Sequence, residues 1–519
     1  MSPKNITMVN LPKVNLNDLK ARIDAADVYA LAKRTPCQLA PKLSAEHGLN
    51  IWLKREDLQD VFSFKIRGAA NRMAGLTDAE KAKGVCAASA GNHAQGMAAA
   101  ASYYKTKAVI FMPVTTPMIK VDAVEARGAE TRLIGDSYDE ACDAAINYAK
   151  ETGAVFIHPF DELDVIAGQG TVGKEILEQM PRAPKAIYVC TGGGGLVSGI
   201  GTWVKAISPE TKIIAVEPEG AATLKTSLEA GKPTPLNKVD GFADGVAVKL
   251  IGTNTLDISK SVVDECITVT NDEICAAVKD VFEATRTVVE PAGAVALAGI
   301  IKHKRAGLAP EGDCVVTISG ANVNFDRIGH IVERAELGAG EEMLFAATIP
   351  EQAGAFLNFI KALGDRAVTE FNYRFAENDD DAHVLVGIKI KSSAVREDVV
   401  KSMAAHGISV LDLSEDRLAK RHLRHMVGGR ASKDIDEVIY RFEFPERPGA
   451  LTDFLINLDA RWNISLFHYR NHGHSTGHVL CGFQIPKGDR RDLEASLSKT
   501  GYPMSAETEN VAYDYFLRA

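Results

Sequence analysis

The chain has no run of Lys or Arg. Its 59 basic residues face 68 acidic ones, for a net charge of −9. That balance argues against a nucleic-acid or anionic-membrane partner held by charge. No C-x-x-C pair occurs among the eight cysteines, Cys37, Cys86, Cys142, Cys190, Cys266, Cys275, Cys314 and Cys481. Several lie in apolar runs such as Tyr188-Val189-Cys190, so buried reduced thiols are expected rather than disulfides or a zinc site. Residues 1–20 have no apolar core and no Arg/Ser-rich pattern, so no signal or transit peptide is expected. No uninterrupted apolar stretch reaches the roughly 18 residues that a membrane span requires. A cytoplasmic location is the expectation. What is present is ordinary globular composition, 46% apolar and 24% charged over 519 residues, enough for a sizeable core and for two or three domains.

From about Asn50 to Gly320 a short apolar run repeatedly ends in Gly, Ser or Asn, and an Ala-rich helical segment follows. Ile51–Arg55 leads to Phe64–Met73, Gly84–Ala88 to Asn92–Tyr104, Ala108–Met112 to Met118–Arg127, Glu130–Ile134 to Tyr138–Thr152, and Ala186–Cys190 to Leu196–Ile207. Alternating strands and helices predict an α/β fold with mostly parallel sheets and helices on both faces. Ligands then lie at the carboxyl ends of the strands. The loops there are Ser63, Ser89–Asn92, Thr191–Gly195 and Ser319-Gly320, rich in small residues, as close backbone approach to a ligand requires.

Residues 1–330 are expected to form this part and 331–342 a linker, after a helix that starts near Asp326. Beyond it the apolar spacing alternates and an internal repeat appears. Ile349-Pro350-Glu351-Gln352-Ala353-Gly354 matches Phe444-Pro445-Glu446-Arg447-Pro448-Gly449. Phe371-Asn372-Tyr373-Arg374 matches Phe467-His468-Tyr469-Arg470, and His383–Gly387 matches His478–Gly482. Each copy reads strand, helix, strand, strand, helix, strand. They predict a C-terminal α+β pair over 343–435 and 436–519 with no catalytic constellation.

Four motifs could carry chemistry. Lys65 opens a helix in Ser63-Phe64-Lys65-Ile66-Arg67-Gly68-Ala69, behind an aromatic residue and before apolar ones. Semi-burial there lowers a lysine's pKa and favours a nucleophilic amine, although most lone lysines are solvated surface groups. Ser89-Ala90-Gly91-Asn92-His93 follows a strand and opens a helix, whose amides suit a carboxylate or phosphate; an Asn cap is the plainer alternative. Thr191-Gly192-Gly193-Gly194-Gly195-Leu196 suits a nest of amides around a phosphate, or a tight turn. Its glycine spacing is not that of a dinucleotide site. Ser319-Gly320 ends a strand and alone is a turn former.

Together, in this order and spacing, the motifs resemble the serine/threonine dehydratase branch of the β-family (fold type II) pyridoxal 5′-phosphate (PLP) enzymes over residues 30–330. Residues 340–519 resemble the paired ferredoxin-like (ACT-like) regulatory domains attached to some biosynthetic members. The resemblance implies two α/β subdomains and PLP held as a Schiff base on Lys65, the catalytic residue. It implies Phe64 beside the cofactor ring, Asn92 on its 3′-oxygen, and Ser319 at its pyridine nitrogen. Amides of Gly192, Gly193, Gly194, Gly195 and Leu196 would hold its phosphate. Ser89, Ala90, Gly91 and His93 would surround the substrate carboxylate. The implied reaction is β-elimination of water from L-threonine, then loss of ammonia, to give 2-oxobutanoate, the first step towards isoleucine. Isoleucine would inhibit through the C-terminal pair and valine would oppose it. A homotetramer is likewise implied.

Some members of the branch bind a divalent cation through acids matching Glu217 and position 223. Thr223 stands at the second, so no metal is expected and Glu217 is read as a cap or pairing group. Three alternatives remain. They are an L-serine dehydratase, another fold type II lyase, racemase or synthase, and a non-enzymatic amino-acid sensor that has lost catalysis.

Overall fold

The computed structural model describes residues 13–519 except 340, 353, 365, 375–380, 391–394, 417–418, 420–435, 446–449, 459–461, 471–475, 487–488, 511–512, 514–516 and 518–519. It divides into two compact units, Met1–Gly338 and Ala339–Ala519.

The first unit shares its βα repeats between two sheets. The larger contains β1 (Cys37–Leu39), β2 (Asn50–Arg55), β7 (Ala186–Cys190), β8 (Lys212–Pro218), β9 (Glu265–Val269) and β10 (Asp313–Ile318), in the order β1-β2-β10-β7-β8-β9. Only the edge strand β1 runs antiparallel. Strands β7 and β10 are buried along their whole length, as strands covered on both faces must be, which is why they read as unbroken apolar runs. The smaller sheet is parallel, in the order β5-β4-β3-β6, from β3 (Val85–Ala88), β4 (Ala108–Met112), β5 (Glu130–Leu133) and β6 (Val155–Phe156). The edge strand β1 and the two-residue β6 carry too little apolar pattern to be read from sequence.

Two helices, Leu163–Gln179 and Asn92–Tyr103, pack close against the helix that carries Lys65, Lys65–Ala74. A Cβ on Gly168 would stand 2.5 Å from the carbonyl oxygen of Arg67 and 2.8 Å from Cα of Gly68. A Cβ on Gly96, in helix Asn92–Tyr103, would stand 3.2 Å from the carbonyl carbon and oxygen of Lys65. Small residues at these crossings let two helices clamp the backbone that carries Lys65.

The second unit builds one eight-stranded sheet, β14-β11-β13-β12-β16-β17-β15-β18. The first copy supplies β11 (Glu342–Pro350), β12 (Val368–Arg374), β13 (Asp381–Lys389) and β14 (Ser409–Asp412). The second supplies β15 (Glu437–Pro445), β16 (Asn463–Arg470), β17 (Thr476–Gln484) and β18 (Met504–Ala506). The copies join where their matching motifs meet. Antiparallel β12 and β16 pair with Phe371 opposite Tyr469, Asn372 opposite His468 and Tyr373 opposite Phe467. Each of these two strands carries a register shift at the same place, Val368/Glu370 and Ile464/Leu466. Helix Asp326–Ala339 runs through most of the segment read as a linker.

Candidate active site

Lys65 is the first residue of its helix, which has no side-chain N-cap. A buried ion cluster holds the turn that follows. Arg67 donates to Glu56 (Nε to Oε2, 2.7 Å) and to Glu175 (Nη1 to Oε1, 2.6 Å), and Lys54 donates to Glu175 at 2.5 Å. All four side chains are fully buried. Two cations balance two anions, so the cluster is neutral, and every member has a partner, which a buried charge requires. It ties strand β2, the short turn after it, and helix Leu163–Gln179 to the Lys65 helix. Sequence reading found Arg67 only as part of a motif and missed its partners, because charges far apart in sequence carry no local signal of pairing.

The loop ahead of Lys65 is strapped to the end of β10. The amide of Phe64 donates to the carbonyl of Ser319 (3.2 Å), and that of Ala321 donates to Phe62 (2.9 Å). Phe62 holds φ +53°, a left-handed conformation rarely taken by a bulky residue. The amine of Lys65 lies 3.1 Å from the carbonyl oxygen of Pro159 and 5.4 Å from the ring centre of Phe64. Burial lowers its pKa to about 8. A nucleophile or base active near neutrality needs such a shift.

The glycine tetrad turns between β7 and helix Gly195–Ile207. Gly194 has φ +88°. A Cβ on Gly193 would stand 2.2 Å from Cγ of Phe160, and one on Gly192 would stand 2.8 Å from Cα of Val246. The loop is thus packed from outside by Phe160, Val246 and Thr255, whose hydroxyl donates to the Gly193 carbonyl at 2.8 Å. The amides of residues 192–197 donate to no protein acceptor among the described residues. A group of buried N–H donors at a helix start asks for an anion. The loop fits a phosphate, and the tight-turn alternative does not explain the unused donors.

The Ser89–His93 segment follows β3. Ser89 Oγ accepts from the amide of Gly91 at 3.2 Å, and a Cβ on Gly91 would meet no atom within 4 Å, so this backbone borders open space. His93 is buried. Burial, with the Lys65 amine adding, drives its pKa down to about 3, so the imidazole is neutral. Nε2 lies 3.3 Å from the carbonyl of Ile157, which assigns the proton to that nitrogen and leaves Nδ1 as an acceptor with no protein partner among the described residues. Asn92 faces the other way. Its Nδ2 donates to Glu290 Oε1 (2.6 Å) and its Oδ1 accepts from Asn322 Nδ2 (2.5 Å). Ser319 Oγ is buried and donates to the carbonyl of Ala292 at 3.3 Å.

The structure therefore brings Lys65, Phe64, Asn92 and Ser319 to the same strand ends, with the glycine loop and the Ser89–His93 segment there too. Leu196 adds a buried side chain to the large-sheet core. Sequence reading missed Glu290 and Asn322. It also missed His158, whose Nδ1 accepts the amides of Phe160 and Asp161 at 3.3 and 2.9 Å. Glu290 precedes a proline that opens an Ala-rich helix, and there an acid reads as an ordinary cap. Glu217 does act as a cap. Its carboxylate accepts the amides of Leu224 (2.7 Å) and Lys225 (2.9 Å) at the start of helix Thr223–Ala230. In the second unit, Tyr373 donates to Glu351 at 2.6 Å, while Glu446–Gly449 lies outside the described residues.

A buried lysine of lowered pKa and a loop of amides without protein acceptors among the described residues lie in a unit of two mostly parallel sheets. Residues 28–320 match the family model of pyridoxal-phosphate dependent enzymes. Residues 333–423 and 428–517 each match the C-terminal regulatory domain of threonine dehydratase. The chain is 47% identical to the biosynthetic L-threonine dehydratase of Burkholderia multivorans, over 96% of this chain and 99% of that one. It is 47% identical to that of Escherichia coli, over 95% of each. Among solved structures, the processed threonine deaminase isoform 2 of Solanum lycopersicum superposes with a TM-score of 0.60 at 44% identity, covering 63% of this chain and 96% of that one. Maize serine racemase superposes with a TM-score of 0.56 at 33% identity, covering 61% and 95%. The chain belongs to the biosynthetic threonine dehydratase family, and its cofactor is PLP.

Proposed function

We propose that the chain converts L-threonine to 2-oxobutanoate and ammonia, and that isoleucine restrains it through the C-terminal pair. The observation that carries the catalytic half is the Lys65 amine, depressed to about 8 by burial, at the same strand ends as a loop of amides with no protein acceptor. Bound there, PLP supplies an electron sink for the pair left at Cα when a proton is removed.

The chain's own groups do the rest. Lys65 holds the cofactor and, once displaced by substrate, takes the Cα proton. At pH 7 an amine of pKa about 8 is about 10% unprotonated, several hundredfold more than an ordinary lysine. The amides of Gly192–Leu196 would hold the cofactor's phosphate, Phe64 would flank its ring, Asn92 would give an N–H to its 3′-oxygen, and Ser319 would face its nitrogen. Ser319 would turn its single O–H from the Ala292 carbonyl to that nitrogen; as a neutral hydroxyl it would hold no proton there, so the group would supply a weaker sink, suited to loss of a β-hydroxyl. Ser89, Ala90 and Gly91 would receive the substrate carboxylate. His93, placed there by resemblance, is neutral with its proton turned to the Ile157 carbonyl, so its free Nδ1 would line the pocket without donating to the carboxylate.

In the second unit, residues 343–435 and 436–519 act as two effector modules. Both β12 and β16 place their matched motifs at the junction of the copies, and the Tyr373–Glu351 pair supplies polar groups beside it. Isoleucine and valine are the effectors, and a homotetramer in the cytoplasm is the working form. No helix among the described residues is long and apolar enough to cross a membrane. An L-serine dehydratase is the second reading. The two matches to a threonine dehydratase regulatory domain favour threonine.

The test is Lys65→Ala. The purified variant is expected to lose the visible cofactor band and threonine turnover together. A variant that keeps both contradicts the assignment.

A further inference from the structure

Glu290 stands at the N-cap position of helix Pro291–Arg305, yet its side chain caps nothing. It turns instead to Asn92 and accepts Nδ2 at 2.6 Å. Two glycines make room for it. A Cβ on Gly320 would stand 2.3 Å from Glu290 Oε1, and one on Gly245 would stand 3.4 Å from it. The residue is buried, 3% exposed. On the far side of Asn92, Asn322 Nδ2 donates both to Asn92 Oδ1 and to the carbonyl of Val61 (2.8 Å), so its direction is fixed. Asn92 is therefore oriented from both ends, oxygen to Asn322 and nitrogen to Glu290. One N–H of Asn92 is left to donate elsewhere.

The charged groups that face Glu290 come from four other elements. Asp244 raises its pKa, and the cations Lys120 and Arg327 lower it. Lys120 bridges Asp244 at 2.5 Å and Arg327 bridges it at 3.4 Å, so the Asp244 charge is largely matched. The Lys65 amine and the Cys190 thiol also lie within electrostatic reach. Burial is the largest influence and pushes the Glu290 carboxyl up to about 8, protonated at neutral pH.

We propose that Glu290 is a positioning residue that sets both the orientation of Asn92 and the charge on the cofactor oxygen that Asn92 touches. The proposal rests on the role given to Asn92 above. Asn322 Nδ2, which can only donate, holds the amide oxygen of Asn92 while Glu290 accepts one of its N–H groups, so an N–H and not the amide oxygen faces the ring. A carboxyl that stays neutral leaves negative charge to the ring oxygen. When Glu290 ionises, a second negative charge one residue away disfavours charge on that oxygen, and the visible band of the holoenzyme shifts.

Glu290→Gln keeps the acceptor for Asn92 but cannot ionise. The experiment is the visible absorbance of holoenzyme from pH 6.5 to 9.5 for wild type, Glu290→Gln and Asn92→Ala. Wild type is expected to show one spectral step centred near pH 8, and Glu290→Gln to be flat over that range. Asn92→Ala, which cuts the link, is expected to show a step at least threefold smaller. A flat wild type overturns the proposal without any variant. A Glu290→Gln step equal to that of wild type overturns it, and so does an undiminished step in Asn92→Ala should Glu290→Gln fail to fold. A colourless wild-type protein marks failure of the cofactor reading itself, whereas a coloured, active protein without the step marks failure of this inference alone.

Discussion

Gly193→Ala isolates the phosphate nest from the rest of the fold. The added Cβ would stand 2.2 Å from Cγ of Phe160 and 2.3 Å from Cδ1. Cγ is the root of the ring, so rotation cannot clear the clash and the loop or the whole residue must move. Phe160 has little freedom, because it packs edge-on against His158 with ring centres 4.6 Å apart and its amide donates to His158 Nδ1. Overpacking of this kind costs about 1–3 kcal/mol in stability. A displaced loop also misaims one or two amides, and each hydrogen bond to a charged group is worth about 1.5–3 kcal/mol. Cofactor affinity is therefore expected to fall by at least tenfold, and by about a hundredfold if two amides are lost. Reconstitution of apoprotein with PLP, followed by the visible band, measures this. Apoprotein melting separates the packing cost from the lost contacts. A dissociation constant within threefold of wild type, in a normally folded variant, refutes the phosphate assignment of the loop.

Three further outcomes follow from the same geometry. Arg67→Met leaves Glu56 and Glu175 buried with too little countercharge, and chemical denaturation is expected to show a loss of about 3–5 kcal/mol; a loss below about 1 kcal/mol contradicts the account of the cluster. In apoprotein, acylation of Lys65 is expected to speed up with rising pH as the amine loses its proton, with a midpoint near 8, and a midpoint above 10 contradicts the burial argument. Glu351→Gln weakens the partner of Tyr373, and isoleucine titrations are expected to shift at least fivefold with basal turnover unchanged, as a coupling of about 1 kcal/mol implies. An unmoved titration makes that pair a packing feature only.

The regular parts of this fold are legible because their local patterns are strong. Helix Tyr138–Thr152 starts with a Ser137–Glu140 capping box and ends at Gly153 in the left-handed region, and its bounds follow from the sequence. Strands β4 and β7 are unbroken apolar runs with bounds to match. The repeat at spacings of 95 and 96 residues discloses the paired regulatory copies; the spacing rises by one between β11 and β12 of the first copy and falls back between β12 and β13, with the counterparts β15, β16 and β17 in the second. The site is legible where its chemistry is written in consecutive residues, as at Lys65, the glycine tetrad and Ser89–His93. It is hidden where function depends on residues far apart in sequence. Glu290 reaches Asn92 across 198 positions, Glu175 reaches Arg67 across 108, and Asn322 reaches Asn92 across 230. No periodicity marks such pairs; only the crossing of elements creates them. The joining of β12 to β16 belongs to the same kind, since a strand's own pattern does not name its partner.

The most direct test is formation of 2-oxobutanoate from L-threonine by the purified holoenzyme, with and without L-isoleucine. The account predicts turnover that isoleucine suppresses. Bound PLP without threonine turnover contradicts the catalytic assignment, and turnover indifferent to isoleucine contradicts the role given to the C-terminal pair.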